Sequence, residues 1–205
     1  MDIERIEKGQ NMKKIILKIR AIFFQWLHKP RMLNNIYVNP NGEIANNTRF
    51  SSTVNFANKQ KIILGDNIYI GHNVVFDGTG CIVIKEGCQI ASGVSILTHS
   101  SHLSIRLFGA HYSECNGKEE NGYLVGTVQI GKYTFIGTNT IILPGVEIGK
   151  GCIVGANSLV NINLPDYAVA YGTPAKIIGD SRKLDKEYLE NNELFQKYYN
   201  EWDNG

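Results

Sequence analysis

Between residues 130 and 160 an aliphatic residue returns every sixth position: Ile130, Ile136, Ile142, Ile148, Val154 and Val160. Four of them are followed by glycine (Gly131, Gly137, Gly149, Gly155). A second place in each hexad is held by a small or apolar residue: Thr134, Thr140, Val146, Cys152 and Ser158. A helix repeats near 3.6 residues and a strand near 2, so a strict six suits neither as one continuous element. The beat predicts short flat strands separated by corners. One aliphatic side chain per strand then points to a shared axis, and stacked turns bury those side chains as columns. Glycine at a fixed place is expected to supply the backbone freedom of each corner. Upstream the beat is looser. Ile44, Phe50 and Phe56 are six apart, as are Leu64, Ile70 and Phe76, and then Ile84, Ile90 and Ile96; the step between trios is eight. Three hexads per coil, with two extra residues at one corner (59–62 and 78–82), account for this and predict five coils. The register is lost after Ile96 and returns at Ile130.

That loss leaves residues 97–129 as a loop extruded from the solenoid. A loop of such length is uncommon unless it has work to do. Residues 1–33 read as a helical segment, ended by Pro30, in which Ile15, Ile16, Ile19, Phe23 and Trp26 form one stripe. Residues 181–205 read as a C-terminal helix. Its Leu184, Tyr188, Phe195, Tyr199 and Trp202 lie near one face and are expected to pack on the solenoid or on a partner subunit.

The run IGKYTFIGTNTIILPGVEIGKGCIVGANSLV, followed by PDYAVAYGTPAKIIG, resembles the hexapeptide-repeat acyltransferases, in particular the maltose- and galactoside-acetyltransferase kind that modify surface polysaccharide. The resemblance implies a mainly β chain: a left-handed parallel β-helix over residues 34–180, assembled as a homotrimer, that moves an acetyl group from acetyl-CoA. The handedness rests on the resemblance alone, because most crossover connections are right-handed.

Charge and cysteines narrow the picture further. A net charge of +2 argues against a nucleic-acid binder held by bulk electrostatics. The four cysteines (Cys81, Cys88, Cys115, Cys152) form no CxxC pair and read as reduced core thiols, which favours the cytoplasm. The apolar run Ile15 to Leu27 is short for a membrane span, contains Lys18 and Arg20, and lacks a small-residue cleavage site. Residues 1–33 carry eight Lys or Arg against three acids. Two readings stay open for this segment: a cap over the open end of the solenoid, or a basic amphipathic helix in peripheral contact with the inner face of the membrane.

Acyl transfer from a thioester to a hydroxyl needs a base for the hydroxyl proton, and an imidazole suits that role near neutral pH. The resemblance places the base on the coil entering the long loop, near Thr98. The usual family position is Ser101 here, so His102 and His99 are the candidates, with His102 preferred. The resemblance also implies that His72, Asn73 and Asp77 contact the acceptor sugar, and that Asp77 can orient the base. It implies further that Gly137, Thr138, Gly155, Ala156, Asn157 and Lys176 line the acetyl-CoA groove between neighbouring subunits. No metal site is expected. The sequence disfavours both a zinc hydratase built on His72, His99, His102 and His111, as in the γ-class carbonic anhydrases, and an ice-binding prism. The first fails on its histidine spacing, the second on its isolated Thr134 and Thr140. The activity expected is O-acetylation of a sugar or surface-polysaccharide unit, with N-acetylation of an amino sugar or nucleotide sugar as the alternative on the same scaffold.

Overall fold

The computed structural model describes residues 14–25 and 29–204. The chain divides into two units, Met1–Arg31 and Met32–Gly205.

In the first unit residues 14–25 are helical, here α1. Trp26, counted in the predicted apolar stripe, lies outside the described residues. The helical reading of residues 1–33 is corrected at its end: Met32–Asn34 is a strand, paired antiparallel with Arg49–Ser51.

The second unit is a three-sided parallel β-helix. Its first face stacks Arg49–Ser51, Tyr69–Ile70, Gln89–Ile90, Phe135–Ile136, Ile153–Val154 and Ala168–Tyr171. The second stacks Asn55–Ala57, Val75–Asp77, Ser95–Ile96, Ile141–Ile142 and Leu159–Val160; the third Ile62–Leu64, Ile82–Ile84, Val128–Ile130 and Glu147–Ile148. Strand pairing puts the sixth-place residues directly above one another. Phe50, Ile70, Ile90, Ile136, Val154 and Ala170 make one column. Phe56, Phe76, Ile96, Ile142 and Val160 make the second. Leu64, Ile84, Ile130, Ile148 and Leu164 make the third. Nearly all are fully buried, so the six-residue beat is the spacing of the core, and five coils stack as expected.

Ile44 is the exception among the counted positions. It forms an antiparallel bridge with Val38 and is about half exposed. Tyr37 takes the interior place there: buried, it packs on Phe50 and Phe56 and donates its hydroxyl to Ile62 O at 2.9 Å. The N-terminal end of the prism is thus closed by residues of its own unit.

The repeating glycines serve a different purpose from the one their spacing suggested. Gly137 does not adopt a positive φ; a Cβ there would come within 2.5 Å of Ala156 N in the coil above. Close stacking, not backbone freedom, excludes a side chain. The left-handed conformation falls two residues later, at Asn139 (φ 57°) and Asn157 (φ 56°), residues that tolerate it. The second small position of each hexad is buried, and where it carries a polar atom that atom caps a carbonyl inside the corner. Thr134 Oγ1 donates to Gly149 O at 2.8 Å and Thr140 Oγ1 to Gly155 O at 3.0 Å.

The C-terminal helix is two helices, α3 (Ser181–Glu190) and α4 (Glu193–Asp203). They are separated where Asn192 caps the second, its side chain accepting from the N–H groups of Leu194 and Phe195. Of the predicted stripe, Tyr199 and Trp202 pack inward, Trp202 against Tyr133 and Tyr167 of the prism. Leu184, Tyr188 and Phe195 do not pack on the prism and are exposed in the single chain. All four cysteines are free. Burial pushes the Cys88 thiol up to about 12 and the Cys152 thiol up to about 11, so both are inert at neutral pH.

Candidate active site

The prism has three edges, and they are built differently. At the edge between the first and second faces, four-residue corners repeat without interruption. At the edge between the second and third faces the chain wanders: a turn of 3-10 helix at Lys59–Lys61, the bend at Thr79 and Gly80, and then the long excursion. The excursion leaves at Thr98 and is back in register at Val128, opposite Ile82. Its stem is a two-stranded antiparallel ribbon, His99–Ser100 against Leu124–Val125. Beyond the stem it folds on itself with α2 (Ser104–Phe108) and two 3-10 segments, and Cys115 is buried inside it.

The stem brings His99 onto Asp77. Asp77 ends its strand one coil earlier, 22 residues back in the chain, and is 8% exposed. Its Oδ2 lies 2.5 Å from His99 Nδ1 and accepts the Thr98 N–H at 3.0 Å. Its Oδ1 accepts the Thr79 hydroxyl at 2.6 Å and the Thr79 N–H at 3.2 Å. Burial works to raise the Asp77 pKa, but the hydrogen bonds from Thr79, Thr98 and His99 hold it down at about 2. The carboxylate is therefore charged throughout the neutral range. A proton on Nδ1 directed at a carboxylate leaves Nε2 with its lone pair, the form in which an imidazole accepts a proton. Tyr123, at the foot of the returning stem strand, lays its ring along the His99 ring with centroids 5.2 Å apart and planes 12° apart. A Cβ at Gly80 would be crowded here, 3.0 Å from Gly126 O and from Thr98 Cβ; its N–H donates to Thr98 Oγ1 at 2.7 Å.

His102 is placed otherwise. It is exposed, its Nδ1 2.7 Å from Ser100 Oγ, with no carboxylate partner. His111 pairs with Glu114 at 2.9 Å on the exposed surface of the excursion. Among the described residues no three His, Cys, Asp or Glu side chains gather as a metal site.

The remaining predicted site residues collect on the uninterrupted edge. Gly137, Thr138, Gly155, Ala156 and Asn157 form the corners of two successive coils there. The turn 172–175 crosses above them, through Ala175 N donating to Leu159 O at 2.8 Å, and leads directly into Lys176. The stack occupies the N–H groups of Gly137, Gly155 and Asn157, whereas those of Thr138 and Ala156 have no partner among the described residues. His72 and Asn73 lie lower on the same edge; His72 Nδ1 is 2.6 Å from Ser51 Oγ, and the Asn73 N–H donates to Thr53 Oγ1 at 2.8 Å. Asp77 thus parts from His72 and Asn73 and joins His99. A groove of about 650 Å³ on the third face, lined by Gln129, Lys132, Glu147, Lys150 and Trp202 among others, contains neither His99 nor Asp77.

The sequence offered little notice of two of these partners. Thr79 follows the Asp-Gly pair of an ordinary turn, and Tyr123 falls in a stretch with no periodicity to mark it.

Residues 127–161 match the family model described as bacterial transferase hexapeptide (six repeats). Over 190 residues the chain is 30% identical to the protein YJL218W of Saccharomyces cerevisiae, provisionally named an acetyltransferase, covering 86% of this chain and 91% of that one. The chain belongs to the hexapeptide-repeat acetyltransferases. It is accordingly an acyltransferase, and the left-handed winding of that family applies to its parallel coils. It is also 29% identical over 147 residues to the galactoside O-acetyltransferase of Escherichia coli, a match spanning 71% of this chain and 66% of that enzyme. Among solved structures, the hexapeptide-repeat acetyltransferase VCA0836 from Vibrio cholerae matches with a TM-score of 0.55 and 29% identity, over 64% of this chain and 69% of that one. The same Vibrio protein complexed with acetyl coenzyme A matches with a TM-score of 0.50 and 30% identity, over 60% and 61%.

Proposed function

We propose that this acetyltransferase moves an acetyl group from acetyl-CoA to a hydroxyl of a sugar or surface-polysaccharide unit, with His99 as the general base and Asp77 as the residue that orients it. The observation that carries this reading is the 2.5 Å approach of His99 Nδ1 to a buried, ionised Asp77. The acetyl-CoA complex of the Vibrio relative supports the donor, and the galactoside O-acetyltransferase supports a saccharide hydroxyl as the acceptor. His99 replaces His102 as the preferred base because, among the described residues, the His102 ring is held by a serine hydroxyl and not by a carboxylate.

In the reaction, His99 Nε2 takes the acceptor's hydroxyl proton as that oxygen bonds to the thioester carbonyl carbon. The carbon–sulfur bond then breaks, and the imidazolium returns the proton to the departing sulfur. Between those events the Asp77 carboxylate offsets the imidazolium charge without itself being protonated. Tyr123 limits the tilt of the ring, which matters because a base contributes only within hydrogen-bond reach of its proton.

His99 and the six residues assigned to acetyl-CoA occupy different edges of one prism, with the second face between them. One chain cannot close a site from both, so a neighbouring copy has to bring its uninterrupted edge against the His99 edge, and we propose a homotrimer for that reason. The free thiols fit a reducing compartment, the cytoplasm. No helix among the described residues is long and apolar enough to cross a membrane.

The test is a panel of sugars and nucleotide sugars scored by release of free thiol from acetyl-CoA, with the acetylated position read by mass spectrometry. Transfer to a hydroxyl that vanishes in His99→Ala supports the reading. Transfer only to amino groups, or undiminished transfer by His99→Ala, overturns it. A stable monomer in light scattering removes the shared groove.

A further inference from the structure

We propose that α1 is an interfacial helix that rests on a bilayer containing anionic lipid, with its aliphatic side chains at the boundary between headgroups and acyl chains and its cations against the lipid charges. This inference is independent of the acetyl-transfer reading.

Four observations carry it. Ile15, Ile16, Ile19 and Ile22 each expose more than half of their surface, and at 100° per residue they share an arc of about 120°. Lys18 flanks one edge of that arc, with Lys14 beyond it, and Arg20 flanks the other; Leu17 and Phe24 lie opposite, and no acidic residue occurs in residues 14–25. Such a stripe bordered by cations is the pattern of a helix lying in the plane of a membrane surface.

Charge is also divided unevenly along the chain. Residues 1–31 hold eight Lys or Arg and three acids, a formal +5, whereas the remainder carries thirteen against sixteen, a formal −3. An anionic surface therefore attracts the first unit and repels the second, which selects lipid over a neutral apolar partner.

The N-terminal end of the prism has apolar cover from its own unit. Tyr37, Phe50 and Phe56 close the N-terminal end of the prism, and Met32–Asn34 pairs with its first strand. Finally, no helix among the described residues is long and apolar enough to cross a bilayer, so contact of α1 with lipid lies along the surface.

The experiment is co-sedimentation of the full chain with vesicles of phosphatidylcholine alone and of phosphatidylcholine with phosphatidylglycerol at about 3:1. We expect binding to the anionic vesicles about tenfold or more tighter than to the neutral ones, weakened by added salt, since each surface cation strengthens association about fivefold. Ile19→Glu with Ile22→Glu should abolish binding to both. Lys14→Gln with Lys18→Gln should weaken binding to the anionic vesicles alone by about 25-fold. Circular dichroism and solution acetyl transfer, both unchanged in these variants, show that the prism is intact; a defect in transfer with normal vesicle binding would bear on His99 rather than on α1. Two outcomes overturn the proposal. One is full-length chain that stays in the supernatant with both vesicles, or binds both alike whatever the substitutions. The other is a change of oligomeric mass in Ile19→Glu/Ile22→Glu without vesicle binding by the parent chain, which would make the stripe a contact between copies.

Discussion

The two described edges of the prism make an instructive contrast. The edge through Gly137 and Gly155 repeats: successive coils turn there in four residues with a left-handed Asn or Gly and a buried last residue, a hydroxyl tied to a carbonyl in the upper two (Thr140, Ser158). The edge through Asp77 and Thr98 does not repeat, and it is there that a carboxylate, an imidazole and an aromatic ring converge. Regular stacking makes a surface on which every coil offers the same groups, which suits holding a long thin molecule along its length. A single reacting position needs a group present once, and only a break in the repeat supplies that.

Substitutions on each edge should therefore separate rate from stability. His99→Ala should lower kcat/KM by about 10²- to 10⁴-fold with the melting temperature held, while His102→Ala stays within about twofold. Ile142→Ala in the second column should do the reverse. It should cost about 2–5 kcal/mol in denaturant unfolding and leave turnover per folded molecule unchanged. Equal loss of turnover in His99→Ala and His102→Ala would dissolve the distinction between the paired and the exposed histidine.

Asp77→Asn comes next in size, at about 10- to 100-fold in kcat, if it removes the charge that, in the proposed mechanism, orients His99. Tyr123→Ala should cost about 2- to 10-fold, the size of one ring stack, with Tyr123→Phe retaining full rate.

The smallest effect lies in acid stability. Asp77 sits at about 2 in the folded chain, against about 3.9 for an aspartate in an unfolded one. Its charge therefore favours the folded state above about pH 4, and that contribution is lost as the pH falls from about 4 to about 2. Asp77→Asn should flatten the dependence of unfolding free energy on pH across that window, read from denaturant titrations at several pH values.

Much of the prism could be read from the chain because one column residue per strand recurs at fixed distance, so Ile130 to Val160 announce themselves. The upstream trios were legible for the same reason, down to the two-residue insertions near Lys59 and Thr79. Ile44 shared the spacing without the burial, because at the end of a solenoid there is no coil below to define an inside. The corner glycines were visible, but their reason was not. A six-residue rhythm says that a side chain is unwelcome at Gly137, and only the neighbouring coil shows that Ala156 N stands where a Cβ would be. The aromatic stripe of the C-terminal segment divided between Trp202, which found Tyr133 and Tyr167, and Tyr188, which is exposed in the single chain.

What the sequence determined by itself was the repeat, the coil count and the place where the repeat breaks, since all three are properties of spacing along one dimension. What only the tertiary structure decided was the partnership of groups distant in the chain. Asp77 meets His99 rather than His72 because parallel coils bring residues about one coil length apart into register, and the ribbon at Leu124–Val125 then carries Tyr123 against the ring. His102, three residues beyond His99, is left in solvent by the same geometry, for the chain has already turned away from the carboxylate when it arrives there.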